Sequence, residues 1–177
     1  MLVKLLQEKG LEDKTILFIL ADTGQPLGEH DNFSEQQYLF QENVHIPLLI
    51  LAPAFLREPA VIDDLSSQVD LLPTIMDLFG RPFRQRSMGS SLIRKNCGRK
   101  VFFNNPYGPR TVGVRSGPYK ALYEFATRQT FLFDLSRDPH ELHNIANDHQ
   151  ELAAELRQKL VDATSFVQEL YDQDRFC

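Results

Sequence analysis

Leu2, Val3, Leu5 and Leu6 stand at helical spacing, and Gly10 behind them predicts a helix that stops there. Residues 15–21, Thr-Ile-Leu-Phe-Ile-Leu-Ala, form a short continuous apolar run, the pattern of a parallel strand buried on both faces. The run ends in the polar turn Asp22-Thr23-Gly24. Ser34 is placed to cap a short helix over 35–43, and Ile46 to Leu51 reads as a second buried strand with Pro47 near its entry. Pro53 and Pro59 make 52–60 a loop. Ser67 or Asp70 then caps a helix that carries Pro73 in its first turn, reaches Phe79 and stops at Gly80. Residues 81–100 are basic and turn-rich.

The pattern changes after residue 100. Short β-rich runs at 101–103, 111–115, 119–123 and 131–134, separated by Gly108-Pro109 and Gly117-Pro118, predict an antiparallel sheet. The aromatics of these runs, Phe102, Phe103, Tyr119, Tyr123, Phe131 and Phe133 among them, read as sheet core. Residues 138–149 read as a turn or short helix. Leu152, Leu156, Leu160, Ala163, Phe166 and Leu170 then mark one long amphipathic helix. The predicted fold is α/β: part of an open sheet flanked by helices over 1–96, followed over 97–177 by a small antiparallel sheet and a long C-terminal helix.

Composition narrows the function classes. The 177 residues carry 19 basic and 24 acidic side chains, a net charge of −5, with no basic block. Nucleic acid and anionic membrane surfaces are therefore not favoured partners. Two cysteines, Cys97 and Cys177, are too few for a disulfide framework or a four-cysteine zinc site. No apolar run is long enough to span a bilayer, and the charged, amphipathic start does not read as a signal peptide.

In open α/β sheets ligands sit beyond the carboxyl ends of the strands, which points to residues 22–30. Asp22, Thr23, Glu29 and His30 gather hard oxygen donors and an imidazole there. A carboxylate at such a place can hold a divalent metal, and a nearby histidine can meet an anionic substrate. The same residues also fit a plain strand-to-loop turn satisfied by Asp and Thr side chains. His140, His143 and His149 lie close in sequence without a supporting carboxylate or cysteine pattern. Asp70 and Thr74 read as helix caps, and Arg110 and Arg115 as residues of a solvated strand face.

Several segments, in order, resemble the sulfatase family of the alkaline phosphatase superfamily. They are Ala21-Asp22-Thr23-Gly24, Leu27-Gly28-Glu29-His30, Tyr38-Leu39-Phe40-Gln41-Glu42 and Ile46-Pro47-Leu48-Leu49-Ile50. Further on come Ser67-Gln68-Val69-Asp70-Leu71-Leu72-Pro73-Thr74-Ile75, Gly89 with Ser91-Leu92, Tyr119-Lys120, and Phe133 to Asn144. The resemblance implies the carboxyl-terminal half of the catalytic domain with its C-terminal subdomain. It also implies cleavage of a sulfate or phosphate ester at a divalent metal. Asp22 would be a metal ligand and position 23 the second. His30 would be the catalytic or substrate-contacting residue, with Glu29 beside it.

Three departures shape these expectations. Thr23 stands where the family carries His or Asn; a hydroxyl suits Ca²⁺ or Mg²⁺/Mn²⁺ better than Zn²⁺. Glu35, Gln36 and Gln37 occupy the region where many members carry a substrate-contacting Lys, and no Lys occurs between Lys14 and Lys95. The nucleophile motif belongs to the family's first half and has no counterpart here; Cys97 reads as a loop cysteine. Two readings follow: a sulfatase-like hydrolase fragment lacking its nucleophile, or a catalytically inactive binding or structural module. The first expects a missing N-terminal half, or self-association in its absence. It also expects an extracytoplasmic setting for a longer protein, and a cytoplasmic one if the chain is complete.

Overall fold

The structure is a computed structural model and describes residues 1–33, 38–83, 89–95, 98–105 and 110–172. The chain divides into two compact units, residues 1–22 with 46–97, and residues 23–45 with 98–177.

In the first unit α1 (Leu2–Glu8) ends where Gly10 takes a φ of 63°, the left-handed stop that its sequence position implies. β1 (Leu17–Leu20) pairs with β2 (Leu48–Leu51), with Ile19 opposite Leu49. This pairing is antiparallel, unlike the parallel strand that the apolar run suggests. Ile19 and Leu49 remain 49% and 51% exposed, so the run is not buried on both faces here. A short helix, α2 (Gln41–Val44), belongs to the second unit, and the longer α3 (Leu71–Leu78) to the first. α3 begins from a capping box. The Ser67 N–H donates to Asp70 Oδ2 at 2.7 Å and the Ser67 side chain answers the Asp70 N–H. Asp70 also accepts from the Ser90 N–H at 2.8 Å, and Thr74 Oγ1 from the Leu92 N–H at 2.9 Å. Thr74 is not the cap its sequence suggested: it lies inside α3 and donates its hydroxyl to the Asp70 carbonyl at 2.6 Å, and together with Asp70 it fastens residues 89–92 to the helix. Gly89 passes so close that a Cβ would lie 2.0 Å from the Val69 carbonyl oxygen.

The second unit is built on a four-stranded antiparallel meander: β3 (Lys100–Asn105), β4 (Thr111–Ser116), β5 (Tyr119–Glu124) and β6 (Gln129–Asp134). Gly117, at φ 57°, lets β4 turn into β5 in two residues. Register gives each face its own cover. Val112, Val114, Ala121 and Leu132 meet Ala153, Leu156 and Leu160 of α4 (Gln150–Asp172). Leu122, Phe131 and Phe133 instead meet Leu39, Phe40 and Val44 of the 23–45 segment. The sheet is therefore covered on both sides, which explains its near-continuous apolar runs.

The Asp134–Asn144 turn ties sheet to helix, with Asn144 Oδ1 accepting from the Leu132 and Ala146 N–H groups, both at 3.0 Å. Phe166 is 48% exposed, so the apolar stripe of α4 outruns the sheet that it covers. The helix expected over 35–43 shrinks to α2 among the described residues. Its cap, Ser34, and the Glu35–Gln37 positions lie outside them, as do Cys97 and Cys177.

Candidate active site

Asp22 follows β1 closely and is exposed. Its backbone carbonyl, with that of Ala21, accepts from the Gln68 side-chain amide, at 2.9 and 3.2 Å. The strand end is thereby fixed to the start of the α3 region within the first unit. Thr23 opens the second unit, and its hydroxyl donates to the Asn43 carbonyl at 3.3 Å. A hydroxyl oxygen is a hard donor, so the chemistry of the Thr23 side chain fits a hard metal ion. Gly24 continues the same contact by donating to Asn43 O at 2.9 Å. A Cβ at Gly24 would sit 2.0 Å from the Glu42 carbonyl oxygen, so only glycine lets the backbones pass. Among the described residues no three or more His, Cys, Asp or Glu side chains form a metal-holding group.

Glu29 is exposed, and its carboxylate accepts from the Leu27 N–H at 2.6 Å. That backbone bond holds its pKa below the usual carboxylate value. His30 is in a different setting. Its ring stacks on Phe40 at 3.9 Å, Nδ1 lies 2.8 Å from Glu42 Oε1, and Nε2 lies 3.2 Å from the Glu141 carbonyl oxygen. Both ring nitrogens therefore face acceptors. Burial works against the charged ring, but the bonds to Glu42 and the Glu141 carbonyl outweigh it and raise its pKa.

Next to this ring lies a charged pair that the sequence pattern hides. Lys120 and Glu141 side chains are 0% exposed, with Nζ 2.8 Å from Oε1. Among the described residues Oε1 makes no other polar contact, and Oε2 accepts from the Gln41 N–H at 2.5 Å. Nζ also donates to Gln41 Oε1 at 3.3 Å and stands 5.6 Å from the centre of the Phe103 ring. Burial pulls the Lys120 pKa below the ordinary lysine range, and Glu141 opposes that pull. Arg115, part-buried, feels the same carboxylate. Alternation along β5 puts Lys120 on the face of Leu122, so a lysine within a strand buried on both faces is the available signal.

Other marked residues are structural. His45 closes α2 through its N–H to Gln41 O at 2.8 Å and is exposed. His143 lies beside Asp138, whose carboxylate takes the His143 N–H at 2.8 Å. The Arg110 guanidinium sits 5.3 Å from the Phe125 ring centre.

Residues 28–165 match the family described as N-sulphoglucosamine sulphohydrolase, C-terminal. The chain belongs to this sulfatase family. Arylsulfatase K of Bos taurus is 31% identical over 173 residues, which cover 88% of this chain and 32% of that protein. The Delta 4,5-hexuronate-2-O-sulfatase of Bacteroides thetaiotaomicron is 29% identical over 164 residues, covering 84% and 34%. A solved 2-O GAG sulfatase shares the fold, with a TM-score of 0.80 at 24% identity over 97% of this chain and 40% of its own. This sulfatase-family chain thus spans about a third of the length of the curated relatives that it matches.

Proposed function

We propose that this chain is the metal-closing part of a sulfatase active site that hydrolyses a sulfate ester. The family match over residues 28–165, with sulfatases among the relatives, is the observation that carries the reading. Asp22 and Thr23 serve as two oxygen ligands of a divalent metal, Ca²⁺ or Mg²⁺/Mn²⁺ before Zn²⁺. Two oxygens are a partial shell for an ion that takes six or more, so the remaining ligands and the nucleophile come from outside this chain. When bound, the metal polarises the ester oxygens and favours the nucleophile's anion. The Gly28-Glu29-His30 segment borders the substrate. A sulfated sugar is the favoured ester; the uronate 2-O-sulfatase relative supports that choice over a phosphate ester.

The chain's partner is the remaining part of the sulfatase fold. The cross-strand pair Ile19 and Leu49, about half exposed, is apolar surface of the kind such a partner covers. In the first unit an apolar hollow of about 380 Å³, lined by Ile16, Phe18, Phe55, Ile75 and Phe79 with Asp13 and Lys14, offers a second such surface. Without that partner the isolated chain associates with itself. A clean monomer in sedimentation at micromolar concentration would contradict this.

The rival reading is a catalytically inactive binding or structural module. Thr23 in place of His or Asn favours it. Calorimetric titration of the complete protein with Ca²⁺ or Mg²⁺ separates the two. Binding that Asp22→Ala removes supports the enzyme, and no binding in the millimolar range supports the module.

A further inference from the structure

We propose that His30, Glu42, Glu141 and Lys120 form a positioning clamp that sets the 23–45 segment on the four-stranded sheet. The clamp's role in function rests on reading that segment as part of the active-site loop. Each ring nitrogen of His30 has an acceptor within reach, Glu42 Oε1 at 2.8 Å and Glu141 O at 3.2 Å. Two acceptors need two N–H donors, which only the imidazolium supplies. A neutral ring keeps one of these bonds and turns a lone pair toward the other oxygen. One face of the ring is also covered by Phe40, which itself packs edge-on against Phe133 of β6.

The far end of the clamp is as constrained as the near end. Glu141 uses its backbone carbonyl on His30, one carboxylate oxygen on the Gln41 N–H, and the other on Lys120. It thereby binds the segment at residues 30 and 41 at once. His30, Asp31 and Glu141 all stand in the left-handed region, at φ 53°, 54° and 54°. Non-glycine residues hold that conformation only where surrounding contacts over-determine it, and such residues gather at functional sites. Lys120 reaches this place from β5, so the sheet sets the position of Glu141, and Glu141 that of the loop.

The charged groups facing His30 are Glu42 from α2 and Glu141 from the turn after β6. Glu29 lies next in sequence and also interacts with His140. Lys120 and Arg115 act on Glu141 from β5 and β4. Carboxylates outnumber cations at the ring itself. The clamp is therefore complete below the ordinary imidazole range and loosens as pH rises through the raised value of His30.

The test uses the 177-residue chain and needs no ester turnover. Imidazole ¹⁵N shifts of the five histidines are followed across the range in which imidazoles titrate, with amide hydrogen exchange of Gly24, Asn43, Val44 and His45 alongside that of β4 and β5. We expect His30 to keep both N–H groups to higher pH than the exposed histidines. Loop protection, corrected for intrinsic exchange, should fall by about tenfold for each unit by which His30 exceeds the ordinary value. His30→Gln should abolish that pH dependence and leave β4–β5 protection in place. Glu42→Gln, which keeps an acceptor but no charge, should lower the His30 titration and the loop protection together. The proposal is overturned if His30 titrates with the exposed histidines. It is equally overturned if the pH dependence survives in His30→Gln, or if every variant loosens the sheet as much as the loop. Failure of the sulfatase reading would show itself differently, as absence of sulfate release with the clamp intact.

Discussion

Removing one partner of the Lys120–Glu141 pair is the sharpest test of what holds the 23–45 segment. Both side chains are 0% exposed and 2.8 Å apart. A buried ion pair adds little net stability over an apolar pair, because the attraction is offset by desolvation. Leaving one charge alone is a different matter, and costs about 3–5 kcal/mol. Lys120→Met strands the buried Glu141 carboxylate, and Glu141→Gln strands the Lys120 ammonium. At an m-value of about 2 kcal/mol/M, either variant should lower the urea midpoint by about 2 M. The double variant Lys120→Met/Glu141→Gln removes both charges. The side-chain amide it introduces at position 141 can still accept from the Gln41 N–H through its oxygen, so the double change should cost less than either single one. The assay is favoured by composition: the chain has no Trp, and Tyr38, Tyr119 and Tyr123 belong to the second unit. Tyrosine fluorescence in urea therefore follows the unit that contains the pair. A loss under about 1 kcal/mol in both single variants would refute the reasoning. So would a double variant that costs the sum of the singles, since independent sites add.

Other outcomes follow from the same structure. Gly24→Ala places a Cβ where the Glu42 carbonyl oxygen stands, at 2.0 Å, and should destabilise by about 1–3 kcal/mol or more by overpacking, read by the same urea titration. Gly89→Ala meets Val69 O at the same distance and should loosen the 89–92 segment, read as faster exchange of the Ser90 and Leu92 amides. The Arg94 guanidinium, then Ser91, hold the Asp77 carboxyl down to about 2. Its contribution to stability is thus full above the ordinary aspartate value and is lost as pH falls through about 2. Carboxyl ¹³C titration should place Asp77 well below the ordinary aspartate value, and Arg94→Gln should raise it.

Much of this fold can be read from the residues. The helix after Gln150, the four strands after residue 100 and the Ser67–Asp70 start of α3 each have a local cause: a period, a Gly-Pro turn or a capping pair. The direction of β1 does not, because an apolar run records burial and not its neighbour's orientation. Ile19 is half exposed, so this run is not buried on both faces among the described residues. Asp22, Thr23, Glu29 and His30 are legible as candidates because polar groups at a strand end are conspicuous. Lys120 and Glu141 are not, since their pairing joins two distant stretches of sequence through packing on the second face of a sheet. Only the placing of a lysine among apolar neighbours, Tyr119, Ala121 and Leu122, hints that its charge has to be answered inside the protein.

Asp22 is proposed to belong to the metal site of a sulfate ester hydrolase. That proposal is tested most directly by measuring sulfate release from a sulfated uronate by the polypeptide that joins this chain to the remainder of its sulfatase fold. The measurement is made with and without Ca²⁺ or Mg²⁺, and for Asp22→Ala. Release should require the divalent metal and be abolished in Asp22→Ala while the variant's circular dichroism is unchanged. Full turnover in Asp22→Ala, or no metal-dependent release from the unaltered protein, would contradict the proposal.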